Sequence, residues 1–386
     1  MPIRPPNNPG PLANRARILF ITQELKRNIT YDPFNYTGTW TGNNYCLFKG
    51  FYCATVPDLN ITGLGSIDFT GARFGGKFLN FYRFIRNLPD IAIFHANSNN
   101  FSGPIYPNLS KLRYLYELDL SNNKFPGTFP VSVLGATNLT FVDLRFNIYG
   151  GTVPRQLFDN IDTDVLFINN NGFNGTIPSN FGDTPAQYIT LANNKFTGPI
   201  PASIGRAWGT LREILFLKNS LSGCLPYEIG FLGLNTVFDA SSNFLTGPIP
   251  QSFGCLKSLQ YLNLANNQLY GEIPESLCRL PNVYSITLSS NYFTQVGLQC
   301  RRLIRAGRLN VGQNCIMGLA GQKSAVECGR FFSKPRTCPR ASTYSILTCV
   351  LSPTSDDGAG RRLQELEEMP APPLPRTYAA LEEAHR

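Results

Sequence analysis

One pattern of apolar and polar positions returns down the middle of the chain every two dozen residues. It is clearest in three copies, Leu118 to Pro130, Ile189 to Pro201 and Leu262 to Pro274, each opening on apolar–polar–apolar and closing on Gly-x-x-Pro. In the first copy Leu118 and Leu120 flank Asp119, the period of two expected of a short strand with one buried face. An asparagine then anchors each copy: Asn99, Asn123, Asn147, Asn171, Asn194, Asn219, Asn243, Asn267 and Asn291, a step of 24 with one 23 and one 25. Four residues on stands a glycine, from Gly103 to Gly271, and from the second copy to the eighth a proline stands seven on, from Pro130 to Pro274. A weaker first copy around Ile67–Gly76 has Ala72 at the anchor position.

A single copy cannot enclose its own apolar side chains, so copies must stack. The expected product is a right-handed α/β solenoid of about ten turns, with a parallel sheet along its concave side at a strand spacing of about 4.8 Å. The anchor amide should point inward, where its donors and acceptor must all be used. Glycine then permits the tight turn, and proline fixes φ on the convex side. The spacing and the Leu-x-Gly-x-Ile-Pro signature resemble the leucine-rich repeat in the version that plant extracellular proteins use.

Charge and cysteine content change this picture at the ends. The net charge is +9, yet Ser66 to Thr294 holds 15 basic and 14 acidic residues, while Cys300 to Arg340 holds nine basic residues against Glu327 alone. The basicity therefore lies after the repeats. It keeps a solvated face soluble or, through Arg301, Arg302, Arg305 and Arg308, meets an acidic polymer. The ten cysteines form no Cys-x-x-Cys pair and gather at the two ends of the repeats, which suits disulfides in an oxidising compartment better than a metal site. Cys46 and Cys53 are close enough to pair. Cys278 has two candidate neighbours, Cys255 and Cys300, and Cys224 is within reach of the next turn. Cys315, Cys328, Cys338 and Cys349 are expected to staple the C-terminal cap, with connectivity open. Seven glycosylation sequons, at Asn28, Asn35, Asn60, Asn100, Asn108, Asn138 and Asn174, agree with the secretory route. The first ten residues lack the apolar core of a signal peptide, and no stretch is long and apolar enough for a membrane helix.

The organisation expected is a disordered N-terminus over 1–11, an N-terminal cap over 12–63, repeats over 64–294, a Cys-rich cap over 295–350 and a disordered tail over 351–386. A helix is predicted over 12–29, with Leu12, Ile18, Leu19, Thr22, Leu25 and Ile29 near one face, covering the open end of the stack. Trp40 is expected to pack on the first turn. The run from Asp32 to Cys53, with Val237–Asn243, Gly223–Pro226, Cys278–Pro281 and the cysteine-rich stretch after the last repeat, resembles the leucine-rich repeat extensins of plant cell walls. The resemblance implies an apoplastic, non-enzymatic protein, and that family binds small basic cysteine-containing peptides of the rapid alkalinisation factor type. It anchors in the wall through a long Ser-Pro-Pro-Pro tail. Here the chain departs from the family, since Met369–Pro375 is only one short proline run. The chain looks most like members lacking that tail, and the run reads as a flexible end.

No catalytic motif is evident. The two histidines, His95 and His385, lie in no nucleophile or metal motif, and no phosphate loop or zinc spacing occurs. No cofactor, metal, nucleic acid or membrane span is expected, and a homodimer is left open. The residues between the buried strand positions carry the functional signal. An apolar band, Phe141, Val165, Phe167, Tyr188, Leu215 and Leu217, crosses the middle turns, flanked by Glu117, Asp119, Asp143, Glu213 and Asp239. Such rings can pack on one another and bind nothing, but a contiguous exposed aromatic band marks an interaction site, and flanking acids attract a cationic partner. The reading is a secreted binding module for an extracellular protein or basic signalling peptide. The alternatives are a wall protein holding pectin through the basic cap and an inhibitor of polygalacturonase.

Overall fold

A computed structural model describes residues 11–159, 163–339, 344, 345 and 349. The expectations for residues 1–10 and 351–386, for His385 and for the side chain of Leu12 lie outside the described residues. The repeats form short strands, nine of them three residues long, and with Ile61–Asp68 before them and Leu309–Asn310 after them eleven strands pair in parallel and in sequence order. The antiparallel strand Phe51–Val56 completes a sheet of twelve at the N-terminal edge. The core is one continuous apolar cluster from Ile18 to Ile316, in which Leu118, Leu120, Ile214, Phe216, Phe238 and Leu264 are buried completely.

The anchor asparagines are the hydrogen-bonding spine of this core. Asn243 Nδ2 donates to the carbonyls of Phe216, Ala240 and Ser241 at 3.1 Å, and its Oδ1 accepts the Leu221 N–H at 3.0 Å. One amide thus serves its own bend and the preceding turn, which offsets the cost of its burial. Asn314 repeats the arrangement against Leu288, Val311 and Gly312, and accepts from Phe293. The anchor ladder thus runs one step beyond Asn291, into the stretch assigned to the cap. Asn314 has Gly318 four on, but the sequence ruler stopped short because it has no proline seven on.

The repeats also carry a second parallel sheet of eight strands, from Pro126–Gly127 to Tyr292–Val296, which the pattern of apolar positions did not announce. The glycine four after each anchor takes left-handed backbone, from Gly103 to Gly271, with Gly247 at φ +87°. Segments after the prolines, such as Tyr227–Phe231, close as short 3₁₀ turns on the convex side.

At the N-terminal end α1 (Pro11–Asn28) buries Ile18, Ile21, Thr22 and Leu25, with Leu19 and Ile29 partly covered; Ile21 joins the face that was predicted. Trp40 is fully buried among Phe51, Phe69 and Phe74, and its Nε1 donates to the Lys49 carbonyl at 3.1 Å. The Cys46–Cys53 bridge closes the cap loop.

At the other end Cys278 pairs with Cys300, not Cys255, and Cys315 pairs with Cys328. Cys224 bonds to Cys338, not to the next turn, and Cys255 to Cys349. Cys338 and Cys349 therefore do not staple the cap to itself. They tie the chain beyond α2 (Ala325–Phe332) back across two earlier repeats. Phe331 of α2 stacks on Tyr292, and Tyr270 donates its hydroxyl to the Arg336 carbonyl. Spacing could not give this, because the partners are 114 and 94 residues apart.

Candidate functional site

The side chains between the buried strand positions line the concave surface. In the first of its columns Phe141, Val165, Tyr188, Glu213 and Val237 are half-buried, whereas Ser66, Ile93 and Glu117 at the N-terminal end are buried. Only toward the C-terminus does a large ring become exposed, at Tyr261.

Part of the predicted apolar band gathers around one hollow of about 210 Å³, lined by Phe167, Tyr188, Glu213 and Leu215 together with Arg145 and Asn169. The Phe141 ring packs edge-on against Phe167 at 6.2 Å, and the Arg145 guanidinium lies 5.1 Å from the Phe167 centroid. Val165 and Leu217 are half-buried beside the hollow without lining it. A second hollow of about 330 Å³ lies three strands on, lined by Val237, Asp239, Tyr261, Asn263, Ser285 and Thr287. Of the predicted residues only Asp239 belongs to it.

The acidic positions differ most from expectation. Asp143 is not a solvated flank: it is fully buried. Its Oδ1 accepts the Arg145 N–H at 3.0 Å, and its Oδ2 faces Arg145 Nε at 2.8 Å. Desolvation and then the neighbouring Asp119 push its pKa up to about 7, against the pull of Arg145. Glu117 is also buried, with its Oε2 2.9 Å from His95 Nε2. Burial alone would depress the His95 pKa. The hydrogen bond and charge of Glu117, with Asp119 and Asp68, outweigh it, and the net shift is upward.

The second column has a structural duty that the sequence reading missed. Asp68, Asp119, Asp143, Asp239, Asn263 and Asn310 each use Oδ1 to accept the backbone N–H two residues on, at 2.8–3.1 Å. This closes the bend after the strand, the local side-chain-to-backbone bond that Asp and Asn favour. The signal was present as Asp and Asn recurring at one repeat position. Even so, the concave positions from Asp68 to Asp239 hold six carboxylates, those of Asp68, Glu117, Asp119, Asp143, Glu213 and Asp239, against Arg145 and His95, so this stretch is net acidic.

Arg301, Arg302 and Arg305 are exposed on the short helix Leu298–Arg305. Arg308 is apart from them. Leu309 pairs with Ile286, so Arg308 continues the first column beside Ser285. All seven sequon asparagines are exposed, and none stands in the concave columns. Among the described residues no helix is long and apolar enough to cross a membrane, and no group of three His, Cys, Asp or Glu side chains could hold a metal.

The Leucine Rich Repeat family model matches residues 114–135 and 258–280. Leucine-rich repeat extensin-like protein 2 of Arabidopsis thaliana is 42% identical over 222 residues, 57% of this chain and 28% of that protein. Protein 6 of the same series is 40% identical over 253 residues, 62% of this chain and 52% of that protein. The chain is thus similar to leucine-rich repeat extensin-like proteins. It spans about half of one such relative's length and less of the other's. Among solved structures, a plant peptide hormone receptor, RGFR1 in complex with RGF2, superposes with a TM-score of 0.57 at 25% identity, over 60% of this chain and 37% of that one. These extensin-like repeats are thus built on the same solenoid as a receptor crystallised with a peptide hormone.

Proposed function

We propose that this chain is a secreted, non-enzymatic cell-wall module whose concave face binds an extracellular protein or a small basic signalling peptide of the rapid alkalinisation factor type. The observation that carries the reading is the hollow walled by Phe167, Tyr188 and Leu215 within a net-acidic trough. Half-buried rings provide anchors that lose little side-chain entropy on binding, and the surplus of carboxylates favours encounter with a cation. Two further features support it. The sequons avoid the trough, so glycans on them leave it open. The similar receptor structure holds a peptide hormone. Five disulfides fit an oxidising, extracellular setting.

The test is calorimetric titration with a synthetic peptide of this type. Replacing Phe167 and Tyr188 together by Ala should weaken binding about 100-fold or more, as for a pair of interface anchors. Unchanged affinity would remove the site. A second reading, retention on pectin, draws on Arg301, Arg302 and Arg305, which are exposed and which no ion pair among the described residues engages. Pectin retention should collapse with added salt, whereas the anchored peptide should be much less affected.

A further inference from the structure

The trough changes character beyond the peptide hollow. Tyr261 and Tyr284 are 44% and 68% exposed, with ring centroids 5.3 Å apart. Their planes are inclined by 51°, and large rings left in water side by side are unusual unless something covers them. Next to them the second hollow offers the Ser285 and Thr287 hydroxyls, with Val237 and Leu262 as its aliphatic lining. Arg308 stands in the column of Tyr261, two strands further on. The combination is an apolar platform, hydrogen-bonding groups at its edge and one cation at its end. A pyranose ring matches the first two features, because its axial C–H bonds make an apolar face and its equatorial hydroxyls project sideways. Arg308 adds a carboxylate to the match.

We infer that this C-terminal part of the concave face is a saccharide subsite for a uronic-acid oligosaccharide, with the sugar stacked on Tyr261 and Tyr284 and its carboxylate at Arg308. The acidity of the trough does not forbid it. Asp239 lies three strands from Arg308, roughly 14 Å at the usual strand spacing, beyond the screening length of about 8 Å at physiological salt. Both Asp239 oxygens are also engaged, by the Ser241 N–H and by Asn263 Nδ2. The subsite is independent of the peptide hollow and of the helix carrying Arg301, Arg302 and Arg305.

The experiment is titration of the full chain with an oligogalacturonate, its methyl ester and a neutral cello-oligosaccharide. The free acid should bind and its ester should bind about tenfold more weakly, a ratio that measures one charge-assisted contact. Tyr261→Ala with Tyr284→Ala should abolish binding of both at an unchanged melting temperature, and Arg308→Gln should bring the acid down to the level of the ester. Phe167→Ala with Tyr188→Ala should leave both affinities as they were, so this subsite stands or falls apart from the peptide site. Four results would overturn the proposal: no binding of the acid by the native chain, equal affinity for acid and ester, retained affinity in the double tyrosine variant, or a loss that follows Arg301→Gln, Arg302→Gln and Arg305→Gln instead of Arg308→Gln.

Discussion

At the scale of single residues, burial decides what a side chain does. Asp143 was legible as an acid on a strand, but its complete enclosure was not. Its pKa near 7 stands above the unfolded value of about 3.9, so the native state binds the extra proton. Its contribution is therefore full below about pH 4 and is lost as pH rises through 7. The raised His95 pKa acts in the same direction, with a loss beginning above its unfolded value of about 6.5. Unfolding at a series of pH values should show stability falling from mildly acidic to neutral pH by on the order of 1 kcal/mol per unit. Asp143→Asn keeps the bond to the Arg145 N–H and should flatten that slope, raising the melting temperature more at neutral than at acid pH. Glu117→Gln should lower the His95 pKa in an NMR titration. Tyr149 offers a separate case: it lies flat between Phe125 and Phe173, and its buried hydroxyl has no partner among the described residues. Tyr149→Phe should stabilise the chain by about 1 kcal/mol, read from a denaturant midpoint at constant slope.

At the scale of elements, each turn is a strand, an amide-locked bend, a second short strand and a 3₁₀ segment. Asn243→Ala removes one side chain but deprives the Phe216 and Ala240 carbonyls and the Leu221 N–H of that partner, while the Ser241 carbonyl keeps the Lys218 N–H. A loss of about 3 kcal/mol or more is expected by chemical denaturation, because several buried groups lose a hydrogen bond at once. Gly247 is a second fixed point. Its φ of +87° disfavours any side chain, and a Cβ there would come within 2.2 Å of the Cys338 sulfur. Gly247→Ala should leave Cys224 and Cys338 unbridged, detectable as two titratable thiols in the folded protein. The strands themselves, the anchor ladder to Asn291 and the position of α1 could be read directly, because each rests on a local period. The second sheet could not, since Gly-x-x-Pro suggests a bend and says nothing of pairing between turns.

At the scale of the whole molecule, stacking makes a rigid trough, and the two ends are closed by different means. An aromatic cap around Trp40 covers one end. The other is held by a strap that returns over the second sheet through Cys338 and Cys349. Cys338→Ser with Cys349→Ser, made together with Cys224→Ser and Cys255→Ser to leave no lone thiol, should release that strap. Limited proteolysis would then cut beyond Phe332 while the repeats resist, since repeat turns draw their stability mainly from their neighbours. The trough also acquires a gradient that no single repeat carries. It is closed and acid-paired near His95, apolar at Phe167 and Tyr188, and polar with exposed tyrosines near Arg308.

By itself the sequence determined the solenoid, its register, its family likeness and the residues that could face the hollow, because a repeated local rule leaves few ways to stack. Tertiary structure decided the rest. Partners distant in sequence, such as Cys224 and Cys338, meet only when turns are superposed. Whether Glu117 and Asp143 face water or a partner depends on neighbours one and two turns away. Arg308 became part of the concave face only because an eleventh strand, with Asn314 behind it, extended the sheet to its position.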